Sequence, residues 1–209
     1  MTVPRATGSD IGLDPGHHRF DVGASGGGLA EYQVTMDLAV RARTLLEARG
    51  YRVALSRTGS EPVSDWFGAS GDDQIAKEQA ARIRAVGAVR AYVSIHLNAY
   101  GDPSLAGTET YYNSSTTGGA GRALAASLQA SVLKRLGGAG YSPRDRGAKE
   151  DLADGKPYGH FFSLRGAMPS ALVESLFLSN PTEAALLSRD SIRQAIAQGI
   201  ADGIAAFLK

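Results

Sequence analysis

The sequence contains no cysteine, and this absence removes several kinds of chemistry at once. Disulfide bonds, thiolate nucleophiles and zinc sites built on cysteine are all excluded. Any bound metal ion must therefore be held by histidine, aspartate or glutamate. Histidine is itself scarce, with 4 residues in a chain of 209, so the position of each one carries information.

Long apolar runs and a strong charge of one sign are also missing. No segment approaches the roughly 18 to 20 apolar residues needed to cross a bilayer, so we predict no membrane span. The formal net charge of +1 gives no electrostatic reason to expect nucleic acid or an acidic membrane as a partner. The first nine residues, MTVPRATGS, lack the apolar segment of a signal peptide and predict a flexible tail before one domain over residues 10–209.

Two kinds of apolar segment alternate along the chain. Short runs rich in β-branched or aromatic residues predict buried strands, and longer segments with apolar residues at helical spacing predict helices. The predicted strands are DIGLD, YRVALS, AYVSIHL, GTETYYN and SALVESLFL, and the predicted helices cover about 31–49, 72–86, 121–136, 182–187 and 192–208. This alternation indicates a single-domain α/β sandwich with a mostly parallel central sheet flanked by helices.

Local sequence signals refine this prediction at two places. Asp72 or Asp73 is a suitable N-cap for the second helix, since a carboxylate can accept a hydrogen bond from the first free N–H groups. Residues 141–159 are rich in glycine, proline and charge, and we predict a long loop there.

Ionisable residues lie at or beside the carboxyl ends of three predicted strands, where sites form in open α/β sheets. His17 and His18 follow the first strand, His96 lies late in the third, and Glu174 ends the fifth. Glu31 opens the first helix and can point back to the same edge. Taken singly, each has a structural explanation: a histidine in a strand is more often structural than a ligand, and a carboxylate is favoured at a helix start.

The four positions carry more weight as a set. The apolar neighbours of Glu174 predict burial, and a buried carboxylate is costly unless it is paired, hydrogen-bonded or bound to a metal. Two histidines and one glutamate are a recurrent catalytic zinc set that leaves a fourth position for water. A separate carboxylate nearby can then act as general base and acid.

Two other features suggest different chemistry but lack the right context. The segment GASGG at 23–27 matches the Gly-x-Ser-x-Gly nucleophile elbow, yet no continuous buried strand leads into it, so we predict a flexible loop. His160, in YGHFF, follows the charged segment and is expected to be a surface or substrate-rim residue with a structural role.

With these residues in view, the chain resembles the zinc-dependent N-acetylmuramoyl-L-alanine amidases of type 3, which cleave bacterial peptidoglycan. The resemblance runs from about Ile11 to the C-terminus. It rests on motifs that follow the family's order: LDPGH at 13–17, Glu31, YRVALSRT at 51–58, VSIHLNA at 93–99, GTETYY at 107–112, RGAK at 146–149 and MPSALVESLFLSN at 168–180.

The resemblance implies a role for each candidate residue. His17, Glu31 and His96 would bind one Zn²⁺ ion, Glu174 would be the catalytic carboxylate, and residues 10–209 would form an amidase catalytic domain. The implied reaction is hydrolysis of the amide between the lactyl group of N-acetylmuramic acid and the L-alanine of the stem peptide. Peptidoglycan would be the partner of a monomeric enzyme outside the cell, in the cell wall or periplasm.

The sequence departs from the family at three positions. His18 stands where the family usually has glycine, so either histidine is a candidate ligand, and the spacing after Pro-Gly favours His17. Ala85 aligns with a usual asparagine, and Ser175 replaces the commoner glycine after the glutamate. Two other functions stay open: a zinc peptidase of the same fold acting on another cell-wall amide, and a non-catalytic wall-binding module.

Some amidases of this kind carry an inserted helix that covers the zinc until a partner removes it. The two candidate insertion points, residues 59–71 and 137–159, hold glycine, proline and charge and do not read as an amphipathic helix of about 12 residues or more. We therefore predict an open groove. Trp66 and Phe67 are candidates for its rim, with a core position for Trp66 as the alternative.

Overall fold

A six-stranded sheet runs through the centre of the computed structural model, which describes residues 8–209. The tail predicted for residues 1–9 therefore lies outside the described residues, apart from Gly8 and Ser9. The strands are β1 (Ile11–Pro15), β2 (Ser25–Gly26), β3 (Leu29–Ala30), β4 (Val53–Leu55), β5 (Ala91–Asn98), β6 (Thr108–Tyr112), β7 (Asp145–Glu150) and β8 (Ser170–Phe177). The helices are α1 (Glu31–Glu47), α2 (Gly71–Val86), α3 (Ser114–Thr117), α4 (Gly119–Gly138), α5 (Pro181–Leu187) and α6 (Asp190–Phe207).

The strand order in the sheet is β4-β1-β5-β8-β6-β7. The four strands β4, β1, β5 and β8 are parallel, while β6 pairs antiparallel with β8 and parallel with β7. This confirms the predicted α/β fold with a mostly parallel sheet. The strands β1 and β8 are buried along almost their whole length, as expected for parallel strands covered on both faces.

Helices cover the two faces of the sheet unequally. The main core lies between the sheet and helices α1, α4 and α6, and it includes Leu38, Leu128 and Ile200. On the other face, α2 packs closely on β1: a Cβ placed on Gly12 would come within 3.1 Å of Val86. No helix of the described residues is long and apolar enough to cross a membrane.

The segment predicted as a long loop, residues 141–159, is the largest error in the secondary-structure prediction. It contains strand β7 and a 3₁₀ turn at Asp151–Asp154. Because β7 lies at the edge of the sheet, its sequence DRGAKE carries charge where a central strand would be apolar. Main-chain pairing with β6 holds the strand, so the apolar pattern that identifies other strands is missing here.

Three smaller predictions were also wrong. Helix α2 begins at Gly71, so Asp72 and Asp73 lie in its first turn, where the helix dipole favours them without a capping bond. Glu174 does not end its strand, because β8 continues past a bulge and pairs Phe177 with β5. The predicted flexible loop at 23–27 contributes instead to a two-stranded ribbon of β2 and β3.

Candidate active site

The candidate residues meet at one edge of the sheet. His17 follows the end of β1, His96 lies near the end of β5, and Glu31 is the first residue of α1. In the sheet, His96 pairs with Glu174 on β8, and Glu174 pairs in turn with Glu109 on β6. Paired residues project to the same face of a sheet, so these three side chains form a row across it.

Three side chains of this cluster face one another at short distances. Glu31 Oε1 lies 3.1 Å from His96 Nδ1 and 3.4 Å from His17 Nε2. The two imidazole rings are 4.9 Å apart between centroids, with their planes 79° from parallel. One donor atom from each of the three residues fits within 4.8 Å of the other two.

These distances match what a tetrahedral zinc site requires. Ligand atoms at about 2.0–2.1 Å from one tetrahedral centre lie about 3.3 Å from each other, close to the two separations from Glu31 Oε1. Two imidazoles and one carboxylate are also a donor set that catalytic zinc sites use. The geometry and chemistry of His17, Glu31 and His96 therefore fit a zinc ion.

Neighbouring groups fix the orientation of two of these side chains. His17 Nδ1 lies 3.1 Å from Asp21 Oδ2, so a hydrogen on Nδ1 can donate to Asp21 and leave the Nε2 lone pair free for a metal. Backbone N–H groups hold Glu31: Ala24 donates to Oε2 at 2.8 Å and Leu97 donates to Oε1 at 2.9 Å.

The electrostatics of the cluster favour a positive charge at its centre. Burial lowers the pKa of His17, but hydrogen bonds and charge interactions with Asp21 and Glu31 outweigh burial and raise it to about 10. Burial raises the pKa of Glu31, but hydrogen bonds with His17 and His96 hold it well below its usual range. A site that draws a proton onto a histidine in this way also attracts a metal cation.

Glu174 lies beside the cluster and forms no ion pair in the described part of the chain, unlike the buried carboxylates Glu31 and Glu109. Its Oε2 atom is buried and has no hydrogen-bond partner among the described residues. Burial, with a further contribution from the negative charge of Glu31, raises the pKa of Glu174 well above its usual value. An unpaired carboxylate beside a cavity and a metal-type cluster is a candidate general base.

The loop that carries His17 is held by buried polar contacts. His17 has φ 59°, the one positive φ of a non-glycine residue in the described part of the chain. Such a conformation persists only where its surroundings enforce it. Here Arg82 Nη2 donates to the carbonyl of His17 at 2.7 Å, and Thr35 and Arg57 donate to the carbonyl of Gly16 at 2.8 and 3.0 Å.

Arg82 connects this loop to buried carboxylates. The fully buried guanidinium donates to Asp14 Oδ1 at 3.2 Å and to Glu78 Oε1 at 2.8 Å. Burial raises the pKa of Asp14, but Arg82 and hydrogen bonds from Ser56 and Ser94 outweigh it and keep that pKa below its usual value. Arg82 thus neutralises two buried anions while fixing the backbone at His17.

Replacing this arginine is expected to be strongly destabilising. Arg82→Met leaves the buried Asp14 and Glu78 without their cation, which costs about 3–5 kcal/mol in comparable cases. Arg84→Met is the matched control, because Arg84 lies on the same helix and is exposed, so little change is expected. Urea denaturation of both variants measures the difference, and equal stability of the two would contradict this role for Arg82.

A glycine next to the cluster leaves room for its side chains. A Cβ on Gly23 would lie 2.5 Å from Glu31 Oε2 and 2.6 Å from His17 Cδ2. Gly23→Ala should therefore displace two candidate ligands and weaken zinc binding by about 10- to 100-fold.

Gly28→Ala separates this clash from backbone strain. Gly23 and Gly28 both have positive φ, at 67° and 76°, which strains an alanine, but nothing lies within 4 Å of a Cβ on Gly28. Zinc affinity measured by competition with a chromophoric chelator should fall for the Gly23 variant and be nearly unchanged for the Gly28 variant. If both variants lose the same zinc affinity, backbone strain alone would explain the effect, and the clash would have no part in it.

His18 points away from the three-residue cluster. Its side chain is fully buried, its Nδ1 accepts a hydrogen bond from the backbone N–H of Phe20 at 3.2 Å, and its ring packs against Trp66 at 4.2 Å between centroids. The geometry therefore favours His17 over His18 as the ligand. Trp66 packs on His18 but is only half-buried and lies outside the described core clusters, so the core position is not supported. Phe67 is 73% exposed beside Phe20.

His160 has the structural contacts expected of it. Its Nδ1 lies 2.6 Å from Oδ1 of the buried Asp151, whose Oδ2 accepts the N–H of Phe161 at 2.7 Å. With Glu150, these residues form a second group whose donor atoms lie within 4.8 Å of one another. Both carboxylate oxygens of Asp151 already have hydrogen-bond partners, in His160 and the backbone of Phe161. This group therefore has no buried carboxylate oxygen without a partner, unlike Glu174.

Two cavities meet at the cluster. The larger, of about 830 Å³, and the smaller, of about 260 Å³, are both lined by His17, His96 and Glu174. Neither Trp66 nor Phe67 lines either cavity, so the predicted aromatic rim is wrong for these two residues. The exposed ring of Phe67 packs on Phe20, outside the groove.

Several residues at the site were not predicted as site residues from the sequence. Asp21 orients His17, and Glu109, Arg146 and Lys149 line the larger cavity. The sequence does carry a signal for the last three, because Glu109 lies in GTETYY and Arg146 and Lys149 lie in RGAK, two motifs of the family resemblance. Without the register of the edge strands, however, neither motif could be assigned to the groove.

Comparison with known proteins agrees with this geometry. The model of the N-acetylmuramoyl-L-alanine amidase family matches residues 11–206. The structure of the catalytic domain of CwlV, an N-acetylmuramoyl-L-alanine amidase from Bacillus (Paenibacillus) polymyxa, has a TM-score of 0.77 to this chain at 27% identity. That match covers 96% of this chain and 98% of the CwlV domain.

Two curated relatives are longer than this chain. N-acetylmuramoyl-L-alanine amidase LytC of Bacillus subtilis is 32% identical, and the match covers 97% of this chain and 36% of LytC. The endolysin of Bacillus phage SPP1 is also 32% identical, with 95% of this chain and 65% of the endolysin covered. The family match over nearly the whole chain shows that this protein belongs to the N-acetylmuramoyl-L-alanine amidase family.

Proposed function

We propose that this chain is a zinc-dependent hydrolase that cleaves the amide between N-acetylmuramic acid and L-alanine in peptidoglycan. Membership of the amidase family supports the reaction and the substrate. The proposed activity would place the protein where peptidoglycan lies, in the cell wall or periplasm. A monomer would suffice, since the candidate ligands and Glu174 all come from one chain.

One observation carries the proposal. His17, Glu31 and His96 offer donor atoms within 4.8 Å of one another, and Glu174 is the sheet partner of His96. The Oε2 atom of Glu174 is buried without a hydrogen-bond partner. A metal-type donor set beside an unpaired carboxylate, on a cavity of about 830 Å³, is the arrangement that metal-assisted amide hydrolysis needs.

In the proposed mechanism, His17 Nε2, Glu31 Oε1 and His96 Nδ1 would hold the zinc ion. When bound, zinc polarises the amide carbonyl as a Lewis acid and lowers the pKa of water near it. Asp21 keeps the hydrogen of His17 on Nδ1, so that Nε2 remains a donor atom for the metal. The backbone N–H groups of Ala24 and Leu97 hold the Glu31 carboxylate in place.

Glu174 would move the proton that the reaction requires. Its carboxylate accepts a proton from the attacking water and then donates it to the nitrogen of the leaving L-alanine. Proton delivery matters because an amide anion is a poor leaving group. The pKa of Glu174, raised by burial and by the charge of Glu31, favours holding that proton between the two steps.

Digestion of purified peptidoglycan tests this function. Mass analysis should find glycan strands stripped of peptide and peptides with a new N-terminal alanine. Cleavage inside the stem peptide would instead identify a zinc peptidase of the same fold. Binding to peptidoglycan with no released product would identify a wall-binding module.

The isolated chain is expected to be active without a partner. The candidate insertion points hold a short 3₁₀ turn at Trp66–Gly68, strand β7 and a second 3₁₀ turn, and their only α-helical residues are the first residue of α2 and the last two of α4. Peptidoglycan hydrolysis should therefore proceed at full rate before proteolysis. A large increase in rate after limited clipping at 59–71 or 137–159 would reveal an inhibitory lid.

A further inference from the structure

Two cations line the larger cavity beyond Glu174. Arg146 and Lys149 belong to the edge strand β7, and their side chains are 21% and 33% exposed. Among the described residues, they are the only lysine and arginine that line this cavity, and none lines the smaller one. The lysine and arginine charge is therefore confined to one side of the candidate active site.

Glu109 holds both cations in place. Arg146 Nε donates to Glu109 Oε2 at 3.0 Å, and Lys149 Nζ donates to the same oxygen at 2.5 Å. Asn98 donates to the other oxygen of this carboxylate. Burial raises the pKa of Glu109, but the bonds from Lys149 and Arg146 outweigh it, so the carboxylate stays ionised. Two cations around one anion leave a surplus positive charge.

The arginine keeps binding capacity for a ligand. Within the described residues its hydrogen bond uses Nε alone, which leaves the two Nη groups free. Its guanidinium also lies over the ring of Phe177, with Cζ 5.0 Å from the ring centroid. A guanidinium fixed through its Nε atom and an aromatic ring presents its two Nη groups as a pair of donors that matches a carboxylate.

The spacing across the sheet locates this charge relative to the scissile bond. His96, Glu174 and Glu109 lie in one row on three adjacent strands, so the Glu109 backbone is about 10 Å from that of His96 at about 4.8 Å per strand. An extended peptide advances about 3.3–3.6 Å per residue. Two extended residues cover about 7 Å and three cover about 10 Å, so the backbone of the third residue, or a long side chain of the second, can reach the row position of Glu109, which holds the cations.

We propose that Arg146 and Lys149 form a binding site for a carboxylate on the second or third residue of the stem peptide. This inference rests on the proposed amidase function. The peptide side of the scissile amide is the charged side, because the lactyl carboxyl of the sugar is consumed in the amide itself. Asp154 also lines the cavity, but Lys156 neutralises it at 3.6 Å.

Binding of short peptides tests the site without depending on turnover. The probes are two pairs of tripeptides that begin with alanine. In the first pair the second residue carries either a free carboxylate or a carboxamide, placed on its side chain or its α-carboxyl group. In the second pair the third residue carries the same two alternatives. Calorimetry should show that Arg146→Gln weakens binding of the free-carboxylate peptide of one pair about tenfold, the size expected for a charge-assisted hydrogen bond. Binding of its carboxamide partner should be unchanged.

Arg144→Gln is the matched control. Arg144 precedes β7, is exposed and does not line the cavity, so the same loss of charge there should leave both affinities unchanged. Equal losses for carboxylate and carboxamide peptides, or no loss with Arg146→Gln, would overturn the proposed site. Cleavage of a muramyl peptide by the unmodified protein is scored separately, so a failure of hydrolysis alone would count against the function and not against carboxylate binding.

Discussion

Chelation of the purified protein is expected to abolish peptidoglycan hydrolysis, and added zinc should restore it. The protein should contain about one zinc ion per chain when purified without chelators. Glu31, His17 and His96 form a cluster whose charge favours a cation, so removing the ion leaves the site without its Lewis acid. Full activity after exhaustive chelation would contradict the proposed zinc dependence.

Substitution of single histidines locates the site. His17→Ala and His96→Ala should each lose the metal, because each removes one of three donor atoms. His18→Ala is the control on the adjacent residue and should keep most of the zinc, since His18 packs against Trp66 away from the cluster. Elemental analysis of the three variants measures this directly. An empty site in the His18 variant would reassign the ligand.

Glu174→Gln is expected to keep its zinc and to lose several orders of magnitude in turnover. The substitution preserves shape and leaves His17, Glu31 and His96 intact, but an amide cannot accept and return the proton. Paired measurements of zinc content and of kcat separate the two effects. Loss of zinc would place Glu174 among the metal ligands, and near-normal turnover would leave the mechanism without its base.

The central strands and their order along the chain could be predicted because their sequences are apolar over their whole length. AYVSIHL and SALVESLFL are buried by helices on both faces, so the pattern that stabilises them is visible in the sequence. The site candidates followed from the same logic, since the carboxyl ends of parallel strands share one edge. The structure brings His17, Glu31, His96 and Glu174 together there.

The features that could not be predicted from the sequence depend on pairing between segments that are distant along the chain. Strand β7 has no apolar pattern because main-chain bonds to β6 hold it at the sheet edge. The contacts of Glu109 with Arg146 and Lys149 follow from that pairing, so the sequence alone does not predict them. Asp21 lies four residues after His17, yet only the left-handed backbone at His17 turns the imidazole toward it.

The choice between His17 and His18 also required three-dimensional information. Both histidines follow the same Pro-Gly turn, and the spacing could only favour one of them. Buried contacts of Arg82 and Thr35 with the loop carbonyls set the backbone conformation that directs His17 to Glu31 and leaves His18 in the core.

Anomalous diffraction at the zinc absorption edge, from crystals of the zinc-loaded protein, is the most direct test of the proposed metal site. We expect one strong peak about 2.0–2.2 Å from His17 Nε2, an oxygen of Glu31 and His96 Nδ1. A peak at His18, or at the group formed by Glu150, Asp151 and His160 with none at His17, would show that His17, Glu31 and His96 do not hold the zinc.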